Sequence, residues 1–140
     1  MKKVIAILLL AMVCVGGICA ADKDFRNMEK APVLNVEGAY IFDLKPFHKK
    51  IEDNFAFHNM TNIKELEGDI YYVDPKTGEW CKNSADFELE GFNDRDIVEP
   101  NKKVKLERVP FFAFTVEPAG NYDFKLYPKN NDINIEIYKK

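Results

Sequence analysis

From Val33 to the C-terminus, apolar and polar residues alternate with a period of two, and turn-forming residues interrupt the alternation about every ten positions. A strand turns successive side chains to opposite faces, so this rhythm describes short strands with one buried and one wet face. Interruptions at roughly 8–12-residue intervals are the spacing of an all-β sandwich or barrel.

The strands can be placed from the alternation. Residues 36–44 put Tyr40, Phe42 and Leu44 on one face; Pro46 ends that run, and 47–53 is a short connection. Residues 54–60 carry Phe55 and Phe57 on one face and Ala56, His58 and Met60 on the other. Residues 69–73 form a third strand, followed by the turn Asp74-Pro75-Lys76-Thr77-Gly78, in which Pro75 presets φ and Gly78 can take a positive φ. Trp80 opens the returning strand. Residues 86–90 alternate strictly, with Phe87 and Leu89 inward and three acids outward. Pro100-Asn101 leads into an expected strand over 103–108, with Val104 and Leu106 inward and the lysines at 102, 103 and 105 along a solvated edge.

Toward the C-terminus, Phe112, Phe114 and Val116 share one face, and Tyr122, Phe124 and Leu126 share another. Joined as a hairpin through 117–121, these runs would set Phe114 opposite Phe124 and Phe111 opposite Tyr127. The last strand, 133–138, turns Ile133, Ile135 and Ile137 inward, and Asn130-Asn131-Asp132 turns the chain into it. Two registers keep the isoleucines inside. One sets Glu136 against Asp123, and the other sets it against Lys125. Cross-strand charge selects Lys125. The pattern predicts one all-β domain over residues 35–140, a single antiparallel β-sandwich of about seven to nine strands, immunoglobulin-like or jelly-roll-like.

Ahead of this domain stands MKKVIAILLLAMVCVGGICAA. Lys2 and Lys3 precede an apolar run over 4–15, and small residues follow, which is the pattern of a cleavable signal helix over 1–21. The run is short of the ~20 apolar residues of a spanning helix. Cys19-Ala20-Ala21 suits signal peptidase and makes Asp22 the mature start, with 22–34 as a tether. Cys19 follows Gly16-Gly17-Ile18, unlike the tripeptide that precedes a lipid-modified cysteine; a lipid on Cys19 is the alternative to release. The chain is expected to be exported to the bacterial periplasm, the cell surface or the medium.

Cleavage would remove Cys14 and Cys19, leaving Cys81 and no intrachain disulfide. All eighteen aromatics (one Trp, six Tyr, eleven Phe) lie beyond residue 21, so core packing has to hold the domain. The 20 basic residues against 23 acidic ones give −3, and loss of Lys2 and Lys3 makes it −5. An acidic chain gains nothing from counterion release, so nucleic acid is not an expected partner.

No motif for catalysis stands out. Ser84 lacks a nucleophile elbow. His48, His58 and Cys81 have neither metal-ligand nor catalytic spacing and read as structural residues. Asp94-Arg95-Asp96 reads as a loop; Asp94 and Asp96 make a weak calcium candidate, because the alternating acids, glycine and distal glutamate of a calcium loop are missing. No cofactor or metal is expected. The outward aromatics Phe111, Tyr127 and Tyr138 are the candidate ligand-binding residues, as a platform for a partner or a sugar ring. The expectation is a non-catalytic protein-interaction or structural module, with a carbohydrate-binding module second and a hydrolase third.

Overall fold

The computed structural model describes residues 30–140. The signal segment 1–21, with Cys14 and Cys19, and residues 22–29 of the tether lie outside the described residues. The described chain is all-β. Its ten strands are β1 (Tyr40–Asp43), β2 (Phe55–Asn59), β3 (Glu65–Gly68), β4 (Ile70–Val73), β5 (Trp80–Lys82), β6 (Phe87–Glu90), β7 (Arg95–Val98), β8 (Phe111–Phe114), β9 (Tyr122–Lys129) and β10 (Asp132–Lys139). They form a sheet in the order β9-β10-β2-β7, a second in the order β1-β8-β4-β5, and a two-stranded ribbon β3-β6. Every pairing is antiparallel except β10 with β2.

Aromatic rings from all three sheets meet in one core, an arrangement consistent with a sandwich. Phe57 of the first sheet meets Phe114 of the second edge-on at 5.3 Å and stacks on Phe87 of the ribbon at 4.1 Å. Phe87 also meets Phe114 edge-on at 6.3 Å. The ribbon therefore closes one side of the space between the sheets, presenting Leu66, Phe87 and Leu89 to the core.

Two of the predicted turns join paired strands. Gly78 closes the β4–β5 turn at φ +75°, and the Asp74 carboxylate accepts from the Lys76 amide at 2.8 Å. Asn130 and Asn131 take φ +56° and +67° between β9 and β10, the left-handed pair that suits a two-residue hairpin. Lys125 faces Glu136, the register selected by charge.

Other expectations are corrected. Residues 111–116 and 122–129 do not pair. β8 lies between β1 and β4, and β9 belongs to the other sheet. Phe114 and Phe124 do meet, edge-on at 5.1 Å, but across the core. Residues 103–108 are not a strand; Leu106–Arg108 is a 3₁₀ turn. Leu106 and Val109, three apart, are both buried, which suits a repeat of three residues per turn. Asp94 lies outside the strands, but Arg95 and Asp96 are not in a loop, because β7 runs over Arg95–Val98 and pairs with β2. Strand β3 carries one large apolar residue, Leu66, too few to register as alternation.

The ribbon breaks a pairing rule. Glu65 lies directly across from Glu90 and Glu67 from Glu88, all four exposed. Like charges directly opposite destabilise a strand pair. Glu88→Lys, which faces Glu67 with an opposite charge, is expected to stabilise the fold by about 0.2–1 kcal/mol at low salt, with a smaller gain at high salt. Urea melts at two ionic strengths would test this, and an unchanged midpoint at low salt would refute it.

Candidate functional site

The outward face of the β9-β10-β2-β7 sheet gathers most of the chemistry-bearing side chains. Alternation puts Asp123, Lys125, Tyr127 and Lys129 of β9 there, with Asn134, Glu136 and Tyr138 of β10. The parallel pairing sets His58 beside Glu136 and Ala56 beside Asn134. Strand β7 adds Arg95 opposite His58 and Ile97 opposite Ala56. One row across the sheet thus reads Lys125, Glu136, His58, Arg95.

Glu136 is the hub. Tyr127 donates its hydroxyl proton to Oε2 at 2.6 Å, and Tyr138 donates to Oε1. Both are charge-assisted bonds, stronger than neutral ones. Burial works against the carboxylate charge. The two hydroxyls, Lys125 and His58 outweigh it and hold Glu136 below its ordinary value. The converse acts on the tyrosines. Burial and then the Glu136 carboxylate push Tyr127 up to about 12, and the bond to Glu136 followed by burial raises Tyr138.

His58 is fixed through its neighbour. The Asn134 amide donates to the carbonyls of Lys129 and Asp132 at 3.3 and 3.4 Å, leaving its Oδ1 to accept from His58 Nε2 at 2.8 Å. The bond assigns the proton to Nε2. The Lys125 ammonium lies 5.6 Å from the centroid of the Tyr127 ring. Ile97 is 46% exposed beside these polar groups.

Stability should respond to pH at both limbs. Glu136, with its value lowered on folding, contributes stability that is present above its unfolded value and is lost as pH falls through the folded one. Tyr127, raised from 10 to about 12, contributes stability that is present below 10 and is lost as pH rises through about 12. Tyr127→Phe is expected to cost about 1 kcal/mol at neutral pH, discounted for partial solvation. The deficit should close on acidification and again on the alkaline side, as read from urea midpoints across pH. A deficit independent of pH would refute the coupling.

The three predicted binding residues are divided. Tyr127 and Tyr138 converge on Glu136. Phe111 is elsewhere: it pairs with Asp43 in the other sheet, is 4% exposed, and has the Lys45 ammonium 4.8 Å from its ring centroid. Its place opposite Tyr127 followed from the hairpin that does not form. Asp94 and Asp96 are engaged in structure, accepting from the backbone amides of Glu90 and Glu88 at 2.6 and 2.9 Å. Those bonds tie β7 to the ribbon and supply the job that the calcium reading had given these acids. Among the described residues no group of three or more His, Cys, Asp or Glu side chains could hold a metal ion.

His48, His58 and Cys81 stand on separate partners. His48 Nε2 donates to the Val109 carbonyl at 2.9 Å, and half-buried Cys81 points its thiol toward the Glu79 carbonyl at 3.8 Å on β5. The lysines 102, 103 and 105 line an open polar groove of about 350 Å³ with Glu52, Asp53 and Glu99. Among the described residues no helix is long and apolar enough to cross a membrane.

Sequence reasoning passed over Glu136, His58, Asn134 and Arg95 as site residues. One signal was present, since the charge-selected register already set Lys125 against Glu136 between two outward tyrosines. His58 and Arg95 join through the parallel β10–β2 pairing, for which there is no local sign. Compared with known proteins, the chain matches no family model, no curated protein and no solved structure.

Proposed function

We propose that this protein is an exported, non-catalytic protein-interaction module of the bacterial cell envelope, and that it recognises its partner through the outward face of the β9-β10-β2-β7 sheet. The observation that carries the reading is the locked carboxylate. Both oxygens of Glu136 accept tyrosine hydroxyls, and its proton affinity is lowered, away from the near-neutral value a general acid or base needs. Such a group is suited to presenting a fixed charge. Tyrosine and arginine are the residue types enriched at interfaces, and here they sit on rigid paired strands.

A carbohydrate-binding module is the second reading, favoured by two outward tyrosines flanking a carboxylate. Lys125 over one face of Tyr127 takes up ring surface that a sugar would use.

A photo-crosslinking residue placed at Ile97, in cells expressing the full chain, tests the proposal. The expected result is a discrete protein adduct from position 97, weakened by Tyr127→Phe with Tyr138→Phe, and none from position 76 on the β4–β5 turn. Equal labelling from both positions, or none, would overturn it. Glycan-array binding lost in the double tyrosine variant would install the second reading in its place.

A further inference from the structure

The β9-β10-β2-β7 sheet has two edges, and they are treated differently. At the β7 edge the ribbon lies alongside, and the Asp94 and Asp96 carboxylates take up the amides of Glu90 and Glu88. The far side of the ribbon is answered too, because Glu67 and Glu117 exchange backbone bonds at 3.0 and 2.7 Å. Strand β9 runs for eight residues, and among the described residues it pairs on one side only, with β10. The phase of that pairing is set where the Lys140 amide donates to the Asn121 carbonyl directly opposite, at 3.0 Å. Odd-numbered residues of β9 therefore bond β10, and the backbone groups of Tyr122, Phe124, Leu126 and Pro128 point away from it. Among the described residues nothing bonds to those backbone groups of Tyr122, Phe124 and Leu126. Pro128, which has no N–H to offer, ends the stretch.

An unpaired edge of this kind is a template for another strand. We propose that the strand it takes is β9 of a second copy of this chain, antiparallel about a two-fold axis. Hydrogen bonding and charge select the same register. With Phe124 opposite Phe124 of the copy, Tyr122 lies opposite Leu126 and Leu126 opposite Tyr122. Each of these pairs has both donors and both acceptors, and Pro128 falls outside them. On the outward face this register sets Asp123 directly across from Lys125 of the copy, twice, in the pairs whose side chains approach most closely. Each charge keeps its neighbour within its own chain, Lys140 at 3.7 Å for Asp123 and Glu136 across β10 for Lys125. The row Arg95, His58, Glu136, Lys125 then continues into Asp123 of the copy, with alternating sign from Glu136 onward. The adjacent two-fold registers set Asp123 against Asp123 or Lys125 against Lys125, and the second also puts Pro128 opposite Tyr122. A lysine guards an edge against foreign strands; here Lys125 also rejects the wrong register and admits the right one. The contact is isologous, so growth stops at the dimer. It joins two four-stranded sheets edge to edge and leaves their outward faces open side by side.

The pairing needs only the edge of the sheet, not the recognition role given to its outward face. Protein purified from cells expressing the full chain is followed by sedimentation velocity up to about 1 mM. The salt is about 0.15 M, where screening over about 8 Å mutes the repulsion between two acidic chains. Sedimentation should rise with concentration and level off at the dimer. Amide hydrogen exchange read by NMR should slow at Phe124 and Leu126 as the dimer forms, while the Lys125 amide, which faces β10, is protected throughout. Asp123→Lys and Lys125→Asp should each weaken dimerisation about tenfold or more, because both cross-strand pairs turn repulsive. Mixed in equal amounts the two variants should form a heterodimer, with two lysines facing two aspartates. Near-UV circular dichroism checks that both are folded. A chain that stays monomeric throughout the series would overturn the proposal. So would a dimer whose Phe124 and Leu126 amides exchange as in the monomer, or folded variants that fail to pair. A foreign adduct from position 97 on a monomeric chain would overturn it and leave the interaction reading standing; an edge-protected dimer with no such adduct would do the reverse.

Discussion

Replacing Gly68 with alanine is expected to destabilise the domain by at least about 3 kcal/mol, toward or beyond the upper end of ordinary overpacking. A Cβ there would stand 1.8 Å from the Thr115 carbonyl oxygen and 2.7 and 2.8 Å from two carbons of the Phe87 ring. Neither neighbour can yield cheaply. Thr115 is tied to the next residue of the ribbon connection by a pair of bonds: its amide donates to the Asp69 carbonyl at 3.0 Å, and its hydroxyl accepts from the Asp69 amide at 3.0 Å. Phe87 is fully buried and stacked on Phe57. The backbone at Gly68 has an ordinary φ, so the expectation rests on space alone. Against a typical total of about 5–15 kcal/mol, the loss is large. Urea unfolding measures it, and a Gly68→Ala chain within 1 kcal/mol of wild type by that measure would mean the ribbon can move off β8.

Phe114→Ala is expected to cost about 3–5 kcal/mol, the range for removing a buried aromatic ring. Phe114 is where the sheets and the ribbon meet. Its ring contacts Phe42 at 5.4 Å and Phe112 at 6.1 Å within its own sheet, Phe57 at 5.3 Å and Phe124 at 5.1 Å across the core, and Phe87 at 6.3 Å in the ribbon. Rings anchored on three sheets cannot all collapse into the vacated space. Phe114→Leu keeps much of the volume and should cost less than half as much. Equal losses for the two variants would show that ring geometry, not cavity volume, sets the cost. Neither substitution touches the outward face, so a variant still folded in mild conditions should keep the locked Glu136.

The candidate site was partly legible. Tyr127, Glu136 and Tyr138 lie on the wet side of two strands whose inner residues, Phe124, Leu126, Ile133, Ile135 and Ile137, are unmistakably apolar. Once the register set Lys125 against Glu136, their convergence followed from local geometry. Phe111 was misplaced for a reason of the same kind. In β8 both faces are buried, Phe111 and Ala113 as well as Phe112 and Phe114, so alternation carries no information about which side is wet. Asp94 and Asp96 looked like loop acids because Arg95–Val98 is charged at its start. Their carboxylates reach across to backbone amides, and that role depends on β6 lying alongside.

Period-two alternation encodes which face of each strand is dry, because the encoding is local: the chain need only know its own next-but-one neighbour. Short turns are local too, and the β4–β5 and β9–β10 hairpins could be read from Gly78 and from Asn130-Asn131. Strand partnership is a different quantity. The same apolar face of Phe112 and Phe114 reaches the core whether β8 pairs with β9 or sits between β1 and β4, so the alternation of that face does not choose between them. Long-range packing breaks that tie. The Phe87 ring needs the gap between Phe57 and Phe114, the ribbon needs the bare backbone of Gly68 against Thr115, and the parallel β2–β10 pairing then carries His58 to Glu136. Those choices depend on shape matched between residues distant in the chain, so they are settled only when the sheets meet.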